Sequence, residues 1–218
     1  MPSKKTKQEN KVEKDLMKVI GFFIFLVVLF IVASWFFKNL NHFDYEGLTF
    51  TKEKFGELTF YHYSYLFENK KGQITEYNLY LRTNPSANNV PVYAENDIVF
   101  KSPSFAESTA FITIDTLGLP QCTESFAAIG TLSKFLADNQ ITVKSGNMNE
   151  SEASIQGHNY VTCDNTKAQN VRVIQIVGGN ESRIDINGSC YTISVGEDCK
   201  IMQAIEKFEL QTILDART

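Results

Sequence analysis

The sequence predicts an α+β protein in which an N-terminal transmembrane helix is followed by a mostly antiparallel sheet with two amphipathic helices on one face. Three observations carry that prediction. An uncharged run, VIGFFIFLVVLFIVASWFF, fills Val19 to Phe37. Several short segments beyond it alternate apolar and polar residues with period two, and two longer segments repeat apolar residues every three or four positions. The chain of 218 residues, with Gly 12, Pro 5, Phe 17 and Tyr 9, is neither collagen-like nor of low complexity. What remains after the apolar run is enough for one ordinary core.

The nineteen residues from Val19 to Phe37 span about 28 Å as a helix, against about 30 Å of bilayer hydrocarbon. Core helices seldom run so long without a polar stripe. Trp35 fits an interfacial anchor at the distal end. A cleaved signal peptide is the rival, with Val32, Ala33 and Ser34 as a loose peptidase site. Against it, the run continues through Phe37 and exceeds the usual apolar region of about 7 to 15 residues. Lys4, Lys5, Lys7, Lys11, Lys14 and Lys18 precede the span, which predicts a cytoplasmic N-terminus. The expected organisation is a basic tail at 1–18, a signal anchor at 19–37, a stalk at 38–46 and an extracytoplasmic α+β domain at 47–218.

Tyr61, Tyr63, Tyr65 and Phe67 alternate with smaller or polar residues and predict a strand, and Ile74 to Arg82 returns as its hairpin partner. Phe111 to Asp115 reads as a strand, followed by a helix over 123–138 whose buried face holds Phe126, Ile129, Leu132 and Leu136. A strand over 141–144 and a polar loop over 145–158 come next. Segments near 160–163, 171–177, 183–186 and 191–195, separated by Gly178-Gly179-Asn180 and Asn187-Gly188, predict an antiparallel meander. A last helix over 198–214 places Ile201, Ile205 and Phe208 inside and Gln203, Glu206 and Lys207 in water.

All four cysteines, Cys122, Cys163, Cys190 and Cys199, follow the span, as expected of disulfides in an oxidising compartment. Their spacings lack the close pairs that a metal site needs, and no metal or cofactor is expected. Within a meander Cys163 and Cys190 share one end of the sheet. Cys199 lies beyond Val195, about 16 Å of strand away from Cys190, too far for a bridge. The pairing expected is therefore Cys163 with Cys190 and Cys122 with Cys199. The sequons at Asn149, Asn180 and Asn187 occur at about the frequency of chance and carry no weight.

Beyond residue 18 the chain holds 15 basic and 22 acidic residues, so nucleic acid and anionic lipid headgroups are not expected partners. Gly178-Gly179 fits neither phosphate-binding pattern, and no metalloprotease, serine-hydrolase or EF-hand motif occurs. Asp115, with Glu124 or Asp164 as neighbours, is the one carboxylate placed as an α/β hydrolase would place it, although a strand-end Asp more often caps a turn. The Tyr61, Tyr63, Tyr65 and Phe67 stripe is a candidate interaction surface, or half of the core.

The segments GLTFTKEKFG from Gly47, YNLYLR from Tyr77, AIGTLSKFL from Ala128, NGSCY from Asn187 and AIEKF from Ala204 together resemble uncharacterised archaeal single-pass membrane proteins. The resemblance implies a cell-surface location and transfers no site. The function expected is a membrane-anchored binding or accessory module of a surface assembly with a protein partner. The alternative is a tethered hydrolase using a carboxylate near Asp115.

Overall fold

In the computed structural model the backbone is described for residues 4–69, 71–100, 108–166 and 171–217, and side chains within these from 16 to 34 and from 41 onward. The chain divides into two compact units, Met1–Asp44 and Tyr45–Thr218. The first is dominated by α1 (Lys4–Leu40). The stretch Leu16–Ser34 within it has mean hydropathy 2.9 and is unburied, long and apolar enough to cross a membrane. The helix extends through most of the tail expected at 1–18 and into the stalk expected at 38–46. The side chain of Trp35 and those of the five lysines from Lys4 to Lys14 lie outside the described residues.

The second unit is α+β and layered. A small antiparallel sheet has the order β1 (His42–Tyr45), β2 (Leu48–Phe55), β3 (Leu58–Glu68), β4 (Ile74–Leu81). A larger mixed sheet has the order β5-β10-β11-β9-β6-β7-β8. Its strands are β5 (Val92–Ala94), β6 (Thr109–Ile114), β7 (Thr142–Asn147), β8 (Asn159–Tyr160), β9 (Val171–Gly178), β10 (Arg183–Asn187) and β11 (Cys190–Val195). Helices α2 (Ser125–Asp138) and α4 (Ile201–Asp215) lie between the two sheets. Phe208 of α4 packs on Tyr191 of β11, while Phe135 of α2 packs on Tyr77 of β4. A short α3 (Glu150–Gln156) follows β7.

The larger sheet differs from the expected meander. Among the described residues of this sheet only β10 and β11 form an antiparallel hairpin, closed by Asn187-Gly188 with Gly188 at φ 58. β9 pairs in parallel with both β11 and β6. Residues Gly178 to Asn180 therefore start a connection that skips a position in the sheet, which β11 then fills. Within VRVIQIV the residues Val173 to Ile176 are buried in succession, as in a strand covered on both faces, and such strands belong to parallel arrangements.

The helices also differ in detail. Phe126 is 92% exposed, and the buried side of α2 is Ala128, Leu132, Phe135 and Leu136. The 145–158 region contains α3, started by Asn149, whose side chain accepts the N–H of Glu152, and ended by left-handed Gly157. On α4 Glu206 is not in water. A helix held between two sheets is covered on opposite sides, and Glu206 and Glu209 are buried along with Ile201, Ile205 and Phe208.

Two disulfides cross-link the unit, Cys122–Cys199 and Cys163–Cys190, each with Cα atoms 5.5 Å apart. The first joins the loops that enter α2 and α4. Cys163 lies beyond β8, in the connection that returns from that edge strand to β9. Cys190 points away from Phe208, because its neighbour Tyr191 points toward it. The second disulfide thus fixes the returning connection on the sheet face opposite the helices.

Candidate functional site

The C-terminal ends of β6, β7, β9 and β11 meet at one rim, where α/β proteins often bind ligands. Asp115 follows β6 there. Its Oδ1 accepts the N–H groups of Leu117 at 3.2 Å and Gly118 at 2.9 Å, so its carboxylate caps the turn. Glu152 on α3 lies within electrostatic reach of Asp115 and accepts the Thr116 hydroxyl at 2.5 Å and the Asn147 amide at 3.2 Å. These hydrogen bonds hold the Glu152 carboxyl below the usual carboxylate range, the opposite of what a general acid requires. Glu124 is instead paired with Arg82 at 2.8 Å. No hydrogen bond brings Asp164 to Asp115 among the described residues.

The glycines at this rim serve close packing. A Cβ on Gly178 would stand 1.9 Å from the Gly118 carbonyl oxygen, and one on Gly118 would stand 2.1 Å from Asp115 Oδ2. The space that a phosphate would need is filled by the β6–α2 loop. Ser182, also buried, donates to Asp198 Oδ1 at 2.7 Å and accepts the Gly196 N–H at 3.1 Å. It acts as a brace for the β11–α4 loop.

The small sheet carries two aromatic faces with different roles. Tyr61, Tyr63, Tyr65 and Phe67 share the face that points to the helices. Tyr63 packs on Phe50, Tyr65 packs on Tyr77, and the Tyr65 hydroxyl donates to Asn139 Oδ1 of α2 at 2.5 Å. This is the core side of the sheet, and burial there pushes the Tyr65 and Tyr77 phenols up.

The opposite face holds Phe55, Leu58, Phe60, His62 and Tyr80, brought together by the β2–β3 and β3–β4 registers. Phe55, Phe60 and Tyr80 meet edge to face with centroids 5.7 to 6.4 Å apart. His62 stacks on Tyr80 at 4.5 Å, with Nδ1 at 2.9 Å from Glu53 and Nε2 at 2.8 Å from Asn78. Phe55 is 56% exposed and Tyr80 42%. Leu66 and Ile74, nearer the β3–β4 turn on the same face, are likewise exposed but stand apart from the cluster beyond the Ser64 and Asn78 pair. The signal for this face was the even-numbered residues of the same alternating strand, with only Phe60 in β3 and Tyr80 in β4 to mark it as aromatic.

The third cluster lies inside. Both carboxylate oxygens of Glu206 accept backbone N–H groups, from Arg82 at 2.5 Å and Thr83 at 3.0 Å, which clamps the end of β4 to α4. Burial nonetheless pushes its carboxyl up. Glu209, one turn further, is fully buried and neither oxygen has a hydrogen-bond partner. Among the described residues no group of three His, Cys, Asp or Glu side chains could hold a metal ion.

No protein-family model, no curated protein and no solved structure matches the chain.

Proposed function

We propose that the chain is a single-pass, membrane-anchored binding module whose α+β unit stands outside the cytosol and engages a protein partner through the outward face of its small sheet. One observation carries the reading: the Phe55, Phe60, His62 and Tyr80 cluster is assembled across three strands, with Phe55 and Tyr80 exposed and Phe60 and His62 half-buried. Exposed aromatics in a contiguous patch are costly to keep unless something covers them, and Phe and Tyr are the side chains from which interface anchors are commonly made. The apolar α1 segment, the lysines before it, two disulfides and the resemblance to archaeal single-pass proteins support the surface placement.

The test is site-specific photo-crosslinking in intact cells, with the probe at Leu58 or Tyr80 and, as control, at Lys144 on the other sheet. The expected result is one discrete adduct from the first two positions and none from the third. No adduct at any position, with the cellular phenotype lost in Asp115→Asn, would favour the hydrolase.

A further inference from the structure

We propose that the outer unit is a proton-linked fold: Glu209 takes up a proton when α4 closes between the two sheets, so the unit is tightest in acid and loosens as the surrounding pH rises. The linkage stands on the packing around Glu209. Only its exposure to an external pH rests on the surface placement proposed above.

Glu209 is 0% exposed and both its oxygens lack partners. An ionised carboxylate so placed has lost its water and gained no donor, so nothing offsets the cost of burying its charge. The groups that face it offer no relief. On its own helix Glu206 is a like charge, Tyr65 of β3 and Tyr77 of β4 lie within electrostatic reach, and Asp138 of α2 bears on Tyr77. Arg82 is engaged with Glu124 and bears on Glu206. Lys134 of α2 pairs with Asp138, and Lys207 of α4 donates to the Tyr45 hydroxyl. From the larger sheet Tyr191 faces Phe208, its hydroxyl bonded to the Val99 carbonyl. The neutral acid is the form that this site accepts.

Burial therefore raises the folded-state value well above 4.5, with the Glu206 charge adding to the shift. A group raised in the folded state contributes stability that is fully present below its unfolded value and is lost as pH rises through the folded one. Glu206 is raised as well, so it acts with the same sign. Within the window each pH unit raises the unfolding equilibrium constant about tenfold per proton.

The experiment is urea unfolding of the full chain in detergent micelles, disulfides intact, from pH 5 to pH 9, followed by near-ultraviolet circular dichroism of the tyrosines. The wild-type protein should lose stability steadily above pH 5. Glu209→Gln should remove about one proton from that slope and be the more stable protein at pH 8. Equal slopes in the two proteins would overturn the proposal. Should Glu209→Gln not fold, infrared spectroscopy of the wild type decides. A protonated carboxylic acid band at pH 7 that vanishes on unfolding supports the linkage, and its absence overturns it.

Discussion

Gly178, the last residue of β9, touches the carbonyl of Gly118 so closely that a single added carbon would fall 1.9 Å from its oxygen. The obstacle is backbone on both sides and cannot rotate away. Gly178→Ala should therefore force the β6–α2 loop off the sheet, at about 1 to 3 kcal/mol or more. Gly130→Ala, on the exposed side of α2 with nothing within 4 Å, should instead stabilise by about 0.5 to 1 kcal/mol. Urea midpoints of the two variants should move in opposite directions.

Glu206 is clamped where Glu209 is not. Glu206→Ala leaves the half-buried N–H groups of Arg82 and Thr83 without their acceptor, at about 1 kcal/mol for each lost hydrogen bond. Hydrogen exchange should show those two amides losing protection before the rest of β4.

Non-reducing peptide mapping should recover Cys122 with Cys199 and Cys163 with Cys190. On loop entropy the first pair, with a separation of 77 residues, contributes about 4.5 kcal/mol. The second, with a separation of 27, contributes about 3.6 kcal/mol. Paired Cys→Ser variants should lower the unfolding midpoint in that order.

Tyr63 and Tyr80 separate the two faces of the small sheet. Tyr80→Ala should weaken the crosslinked adduct strongly, since anchor aromatics carry about 2 kcal/mol or more of binding, and leave the melting temperature nearly unchanged. Tyr63→Ala, facing Phe50, should lower the melting temperature. An adduct insensitive to Tyr80→Ala would place the partner elsewhere.

Protease applied to intact cells should remove the unit beyond Phe37 and spare an epitope at residues 1–15. A soluble product starting near Trp35 would instead identify the apolar run as a cleaved signal.

Much of this architecture was legible in the sequence, and the failures share a cause. Strand and helix positions followed from local periodicity, as at Tyr61–Phe67 and Ile201–Phe208. The length of β11 alone keeps Cys190 and Cys199 apart, whichever strand lies beside it. Pairing was not local information. Nothing within VRVIQIV says that its neighbour is the strand two segments later, and the missing polar alternation was the one hint of parallel company. The side of a helix that meets water depends on what lies above it. Phe126 fitted the apolar stripe yet points outward, while Glu206 fitted a wet face that a second sheet covers. The short α3 was announced by Asn149 and Glu152 at capping-box spacing, a pattern that also reads as a sequon.

The burial of α4 on two sides has a consequence for how the molecule is made. In chain order α4 follows every strand, yet both sheets rest on it. In synthesis from the N-terminus Tyr191 of the larger sheet is made before Phe208, the side chain that packs on it. The decisive contacts are those of greatest sequence separation, the slowest kind to form. Completion of the fold is consequently concentrated at the end of synthesis: a chain cut short before Cys199 would leave Tyr191 uncovered and Cys122 without its disulfide partner.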